Sequence, residues 1–232
     1  MIVLAVFALL VLGLVFLPQY WVRHIMRRYS RPVPDLPGTG GELAEHLVER
    51  FGLDGVVVET TEAGDHYDPE ARAIRLSPDN HAGRSITAVA VATHEFGHAL
   101  QHHQGYRPLF WRGRLAVLAQ RAQRVGAGAM MALPLVAGVT RSPALVGLAG
   151  ILGVVSLGMA VVVHFVTLPV ETDASFKRAL PILREGSYIR PTEERGARRV
   201  LRAAAFTYVA AALGSLLNLA RWMTLLRGGR LF

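Results

Sequence analysis

The sequence predicts a mainly α-helical integral membrane protein with one small β-hairpin and about four transmembrane or membrane-packed helices. Three observations carry this prediction. Hydrophobic residues make up 52% of the 232-residue chain, a share that moves the prior from a soluble domain toward the bilayer. Long uncharged stretches occur at the N-terminus and three more times after residue 124. The segments between them concentrate the basic charge: of 25 Lys and Arg residues, 13 lie in 18–124 and 8 in 169–202.

The first element, residues 1–17, is an unbroken run of 17 apolar or glycine residues that stops at Pro18. No basic residue precedes it and no small-x-small cleavage site follows, so it reads as a retained anchor with its N-terminus outside. Residues 18–124 form a cytoplasmic segment. Within it, Leu43, Leu47, Val48 and Phe51 share one helical face against Glu42, Glu45 and Glu49, which predicts an amphipathic surface helix over Gly41 to Phe51. Val56 to Glu59 and Ala73 to Leu76 predict two short strands joined as a hairpin around a turn-rich AGDHYDPEA. Asp79 to Arg84 is polar and loop-like, and helix resumes near Ser85, whose hydroxyl can cap it. Arg112, Arg114, Arg121 and Arg124 interleaved with Leu115, Val117 and Leu118 suggest a helix lying on lipid headgroups.

Residues 125–168 supply two membrane helices, Val125 to Val139 with 15 uncharged residues and Ala144 to Leu168 with 25. A second cytoplasmic segment, 169–202, follows. Residues 203–232 carry an 18-residue uncharged stretch, Ala203 to Ala220, and a basic tail. If all four stretches cross, 21 of the 25 basic residues sit on one face, and the positive-inside rule makes that face cytoplasmic. The three arginines of the tail argue mildly against the last crossing.

Composition also excludes some chemistry. Cysteine is absent, so any metal must be held by imidazole and carboxylate. The net charge of +8 is explained by basic flanks meeting anionic headgroups, and nucleic acid is not an expected partner. The glycines of the apolar stretches suit close helix packing, and no phosphate-cradling loop is present.

The chemistry concentrates in THEFGHALQHH, Thr93 to His103. On a helix, residues four apart share a face, so His94 and His98 can hold one zinc ion while Glu95 lies beside them as a general base. The metzincin pattern would require glycine at 101 and histidine at 104; Gln101 and Gln104 exclude it. His102 lies one turn past His98, but three successive turns of a straight helix cannot wrap one tetrahedral ion, so His102 and His103 are expected to support the site or face water. The third ligand is expected 73 residues after His98, in LPVETDAS, where the topology returns Glu171 to the same face. Asp173 is the alternative ligand, or an acceptor that orients an imidazole. His164, seven residues before Glu171, is a candidate donor to the oxyanion of an attacked carbonyl, weighed evenly against a neutral interfacial histidine. The strand Ala73 to Leu76 is the expected partner for an extended peptide, while Tyr67, Asp68, Arg75, Asn80 and Arg84 are individually more often structural.

The stretch YDPEARAIRLSPDNHAGRSITAVAVATHEFGHALQHHQGYRPL, followed by a hydrophobic region and LPVETDAS, resembles the YugP-type bacterial neutral zinc metallopeptidases, membrane-embedded gluzincins. The resemblance covers most of the chain. It implies a zinc cofactor, with His94, His98 and Glu171 as ligands and Glu95 as the catalytic glutamate. It implies a polypeptide substrate, membrane or damaged proteins being candidates, and the lipid bilayer as the other partner. More distantly the chain is similar to membrane gluzincins that include the CAAX prenyl endopeptidase. Those carry an aspartate four residues after the ligand glutamate, where this sequence has Ser175.

Two other classes compete. A site-2-type intramembrane protease would bury its H-E-x-x-H in a span, yet only Ile86 to Thr93 is uncharged before His94, and the one Leu53-Asp54-Gly55 lies upstream. A non-enzymatic adaptor would close its zinc with a fourth protein ligand, for which His102 or Asp173 is available.

Overall fold

The computed structural model describes residues 2–140 and 142–227. The chain is mainly helical and carries one three-stranded sheet. It divides into two compact units, one built from the first part of the N-terminal helix, Trp111–Thr167 and the chain from Tyr208 onward, the other from Leu17–Phe110 and Leu168–Thr207.

The first unit draws on three long helices: α1 (Ile2–Tyr29), α5 (Arg107–Thr140) and α6 (Pro143–Thr172). The C-terminal helix α8 (Glu194–Arg227) supplies its last part. Between α5 and α6 the approach is close: a Cβ on Gly126 would lie within 2.4 Å of the Ser156 side chain, so only glycine fits there. The outer faces stay apolar. Val125, Met131, Leu135 and Val139 of α5 and Ile151, Val155 and Phe165 of α6 are all exposed. Among the described residues, two helical runs are long and apolar enough to cross a membrane, Ala144–Glu185 and Glu194–Leu217. The first contains the expected stretch Ala144 to Leu168, and the second covers most of the expected stretch Ala203 to Ala220.

The second unit carries the sheet and four further helices: α2 (Gly40–Arg50), α3 (Pro78–His81), α4 (Ile86–His103) and α7 (Leu180–Glu185), the last preceded by a π-helical segment, Asp173–Ala179. Thr39 and Glu42 form a capping box at the start of α2, each side chain accepting from the other residue's backbone N–H. That fixes a helix whose Leu43, Ala44 and Leu47 bury against α4. The polar stretch expected as loop contains the single turn α3, started by Pro78 at its first position.

Two expectations are corrected here. α1 does not stop at Pro18 but runs to Tyr29. The ring costs a backbone hydrogen bond, and beyond it Val22 and Ile25 are buried while Trp21, Met26 and Tyr29 pack on the core, so burial holds the helix past the proline. The sheet is not a simple hairpin of the two expected strands. Those strands, β1 (Val57–Thr60) and β3 (Ala73–Leu76), pair in parallel, and β2 (His66–Asp68), in the stretch expected as a turn, pairs antiparallel with β3 from the other side. The chain reverses between β2 and β3 because Asp68 Oδ1 accepts from the backbone N–H groups of Glu70 and Ala71 and Arg72 takes φ 52°. With a reversal on each side of His66–Asp68, β1 and β3 necessarily run the same way.

Candidate metal centre

The helix α4 is the spine of the second unit. Ser85 caps it, its hydroxyl accepting from the Ala88 N–H at 3.1 Å, and every residue from Ile86 to Gln101 is buried. Small residues, Ala88, Ala90, Ala92, Gly97 and Ala99, let neighbouring backbone come close on several sides. Gly97 marks the tightest approach: a Cβ there would stand 2.9 Å from the Ala174 carbonyl oxygen of the π segment. The segment that follows Glu171 is thereby pressed against the two histidines.

The result is a convergence of three buried groups. His94 Nε2 lies 3.1 Å and His98 Nε2 3.4 Å from the same oxygen, Oε2 of Glu171. One ligand atom from each of the three falls within 4.8 Å of the others. Glu171 is only 1% exposed, so its charge is taken out of water and must be met by a cation or by donors. The donor set, two imidazoles and one carboxylate, suits zinc, and three protein ligands leave one position open. Among the described residues no fourth side chain joins the group.

The far side of each imidazole is also occupied. His94 Nδ1 is 3.1 Å from Ser175 Oγ, and His98 Nδ1 is 2.9 Å from Gln101 Oε1. Ser175 therefore supplies an oxygen to His94. Asp173 contacts neither imidazole: its Oδ1 accepts from Gln101 Nε2 at 2.9 Å and from Arg178 Nε at 2.7 Å. Gln101, Ser175 and Arg178 escape a reading based on ligand types, although Gln101 sits three residues after His98, one helical neighbour away, and is a polar side chain fully buried in the helix.

Glu95 is buried beside the ligands. Burial lifts its carboxyl to about 7; His94 opposes the rise, the Glu171 and Asp65 carboxylates add to it, and a hydrogen bond from the Tyr67 backbone opposes it again. That last contact brings strand β2 to the site. Strand order is β1-β3-β2, so β3, expected to pair with a peptide, is central with both edges taken; β1 and β2 are the edge strands, and β2 is the one whose backbone reaches Glu95. His102 fixes β2 in place: its Nδ1 is 2.8 Å from the Tyr67 hydroxyl. Burial pushes the phenol's pKa up and the imidazole's down, so the bond joins two groups held toward their neutral forms. His102 is thus engaged away from the ligand group, His103 is exposed, and the closed four-ligand site that an adaptor would need lacks both of its candidates. Asp54 lines a separate small cavity with Tyr67, Arg72, His102 and His103. His164 lies in α6 within the first unit and is half-buried. Asp68, Arg75 and Glu59 brace the sheet through ion pairs of 2.6 and 3.1 Å, and Asn80 ties α3 to Asp65 at 2.8 Å.

Comparison with known proteins agrees with this centre. A family model described as "Putative neutral zinc metallopeptidase" matches residues 2–227. The chain belongs to this family. It is 39% identical over 221 residues to the "Putative membrane protease YugP" of Bacillus subtilis (strain 168), the alignment covering 94% of each chain. No solved structure matches the chain. Membership in a neutral zinc metallopeptidase family makes zinc the metal expected at His94, His98 and Glu171.

Proposed function

We propose that the protein is a multi-pass membrane zinc metalloendopeptidase of the gluzincin type, with its site facing the cytoplasm and polypeptides, membrane proteins among them, as substrates. One observation carries the reading: two histidines of a buried helix and a glutamate 73 residues later in sequence bring ligand atoms within 4.8 Å of one another, with Glu95 buried alongside.

His94, His98 and Glu171 would hold the ion, which supplies Lewis acidity toward a scissile carbonyl and lowers the pKa of the attacking water. The remaining steps belong to the chain. Glu95, buried beside the ligands, takes the proton of that water and delivers it to the departing amine. The edge strand β2 would pair with an extended peptide beside Glu95, whose carboxylate accepts from the Tyr67 backbone N–H. The cytoplasmic orientation rests on the distribution of basic residues, 21 of 25 in the two segments that carry the site.

The test is hydrolysis of an unfolded protein by detergent-purified enzyme, native against Glu95→Gln at equal measured zinc content. Native cleavage with a loss of at least about 100-fold in the variant is expected. Equal cleavage by both would remove Glu95 from the mechanism, and cleavage by neither at full zinc loading would remove the peptidase reading.

A further inference from the structure

We infer that Gln101, held in one orientation by Val170 and Asp173, is a positioning residue that sets the tautomer and aim of the His98 imidazole, with Arg178 and the π-helical segment locking Asp173 in turn. The inference rests on the metal-centre reading above.

Gln101 is 0% exposed, so its amide must find all its partners within the protein. An amide presents an oxygen that accepts and a nitrogen with two donors. Here Nε2 faces two groups that can only accept, the Val170 carbonyl at 2.9 Å and the Asp173 carboxylate at 2.9 Å. Turning the amide over would set its oxygen against two other oxygens in a buried space. The oxygen therefore faces His98 Nδ1, 2.9 Å away. An oxygen there can only accept, so Nδ1 carries the proton. A neutral imidazole has one such proton, and Nε2 is left with its lone pair. Nε2 is the atom that lies 3.4 Å from Glu171 Oε2 and belongs to the ligand group. A carboxylate that never touches the imidazole thus decides which of its nitrogens can bind metal. His94 is under a weaker constraint, because the Ser175 hydroxyl beside its Nδ1 can donate as well as accept.

The lock on Asp173 depends on the shape of the helix. Arg178 Nε donates to Asp173 Oδ1 at 2.7 Å, and Arg178 Nη1 donates to Gln104 Oε1 at 2.6 Å. Residues five apart in an α-helix point about 140° away from each other around the axis. In a π-helix, whose hydrogen bonds span five residues, they stack on one face. Asp173 and Arg178 are five apart within the π segment, where the Leu180 N–H bonds the Ser175 carbonyl. The widened turn is what brings the guanidinium over the carboxylate, and Gln104 ties both to the end of α4.

Zinc affinity of the full-length protein in detergent, measured by competition with a chromophoric chelator, tests this. Gln101→Met keeps the volume and removes the amide. Nitrogen NMR shifts of the His98 ring in the metal-free protein read its tautomer directly. Gln101→Met is expected to weaken zinc binding by about 10- to 100-fold and to turn a His98 ring protonated at Nδ1 in the native chain into a mixture of tautomers. Native-like affinity in Gln101→Met, or a native His98 ring protonated at Nε2, overturns the inference. A native chain that takes up no zinc overturns the metal centre itself, and this inference with it.

Discussion

Gly97→Ala puts two opposing effects on one position and lets their sizes decide. Alanine is the better helix former by about 1 kcal/mol, and α4 would gain that much from the change. Against it stands the packing of α4 on the π segment, where the added Cβ would lie 2.9 Å from the Ala174 carbonyl oxygen, 3.4 Å from its Cα and 3.5 Å from its carbonyl carbon. A flexible side chain could swing aside, but these are backbone atoms. They are held from both sides by the Asp173–Arg178 pair and the Ser175–His94 contact. Overpacking of this kind costs about 1–3 kcal/mol, so the net change in stability runs from about zero to about 2 kcal/mol of loss. The centre should respond more sharply. Relief requires α4 and the π segment to part by a few tenths of an ångström, and that displacement passes through His94–Glu171 and His94–Ser175, both 3.1 Å. Zinc affinity, read by chelator competition, is expected to fall about tenfold or more, with thermal melting of the metal-free protein lowered by at most a few degrees. A variant that melts higher than native and binds zinc equally well would refute the claim that Gly97 sets the spacing of the centre.

Two further outcomes follow from the same geometry. In the metal-free protein the Glu95 carboxyl is raised from 4.5 to about 7 in the folded state, so folding favours its protonated form; stability from this group is complete below pH 4.5 and is lost as pH rises through 7, a penalty of order 3 kcal/mol. Glu95→Gln removes the penalty, and the metal-free variant should melt above native at pH 8 and alongside it at pH 5; equal melting at both pH values would contradict the buried, uncompensated carboxylate. Tyr67→Phe removes the 2.8 Å bond to His102 that anchors β2 and is expected to cost about 0.5–1.5 kcal/mol of stability, with KM for an extended peptide raised, zinc affinity unchanged and kcat within a few fold. An unaltered KM would argue against β2 as the strand that meets substrate.

The parts of the centre that were legible in the sequence are those set by ordinary helical periodicity and by charge. His94, Glu95 and His98 follow from a four-residue spacing on a helix whose cap, Ser85, is also readable. Glu171 follows from the expectation, drawn from the distribution of basic residues, that both segments share one face, and the structure brings its carboxylate within 3.1 Å of His94. What stayed hidden depends on departures from regular geometry. The β2 strand is only three residues long and sits among turn formers, so neither length nor alternation marks it, and the reversal that creates it also turns an expected antiparallel pair into a parallel one. Pro18 reads as a stop by its own chemistry, and only the burial of Val22 and Ile25 carries the helix past it. Asp173 is the instructive case. Read on a 3.6-residue period, Asp173 and Arg178 point away from each other, and Asp173 looks like a rival ligand. Over a π turn they stack, and the carboxylate is spent on Gln101 and Arg178. The same local widening withdraws Asp173 from competition for the metal and sets Ser175 against His94, so the choice of Glu171 over Asp173 follows from the π-helical path of the backbone as much as from the side chains.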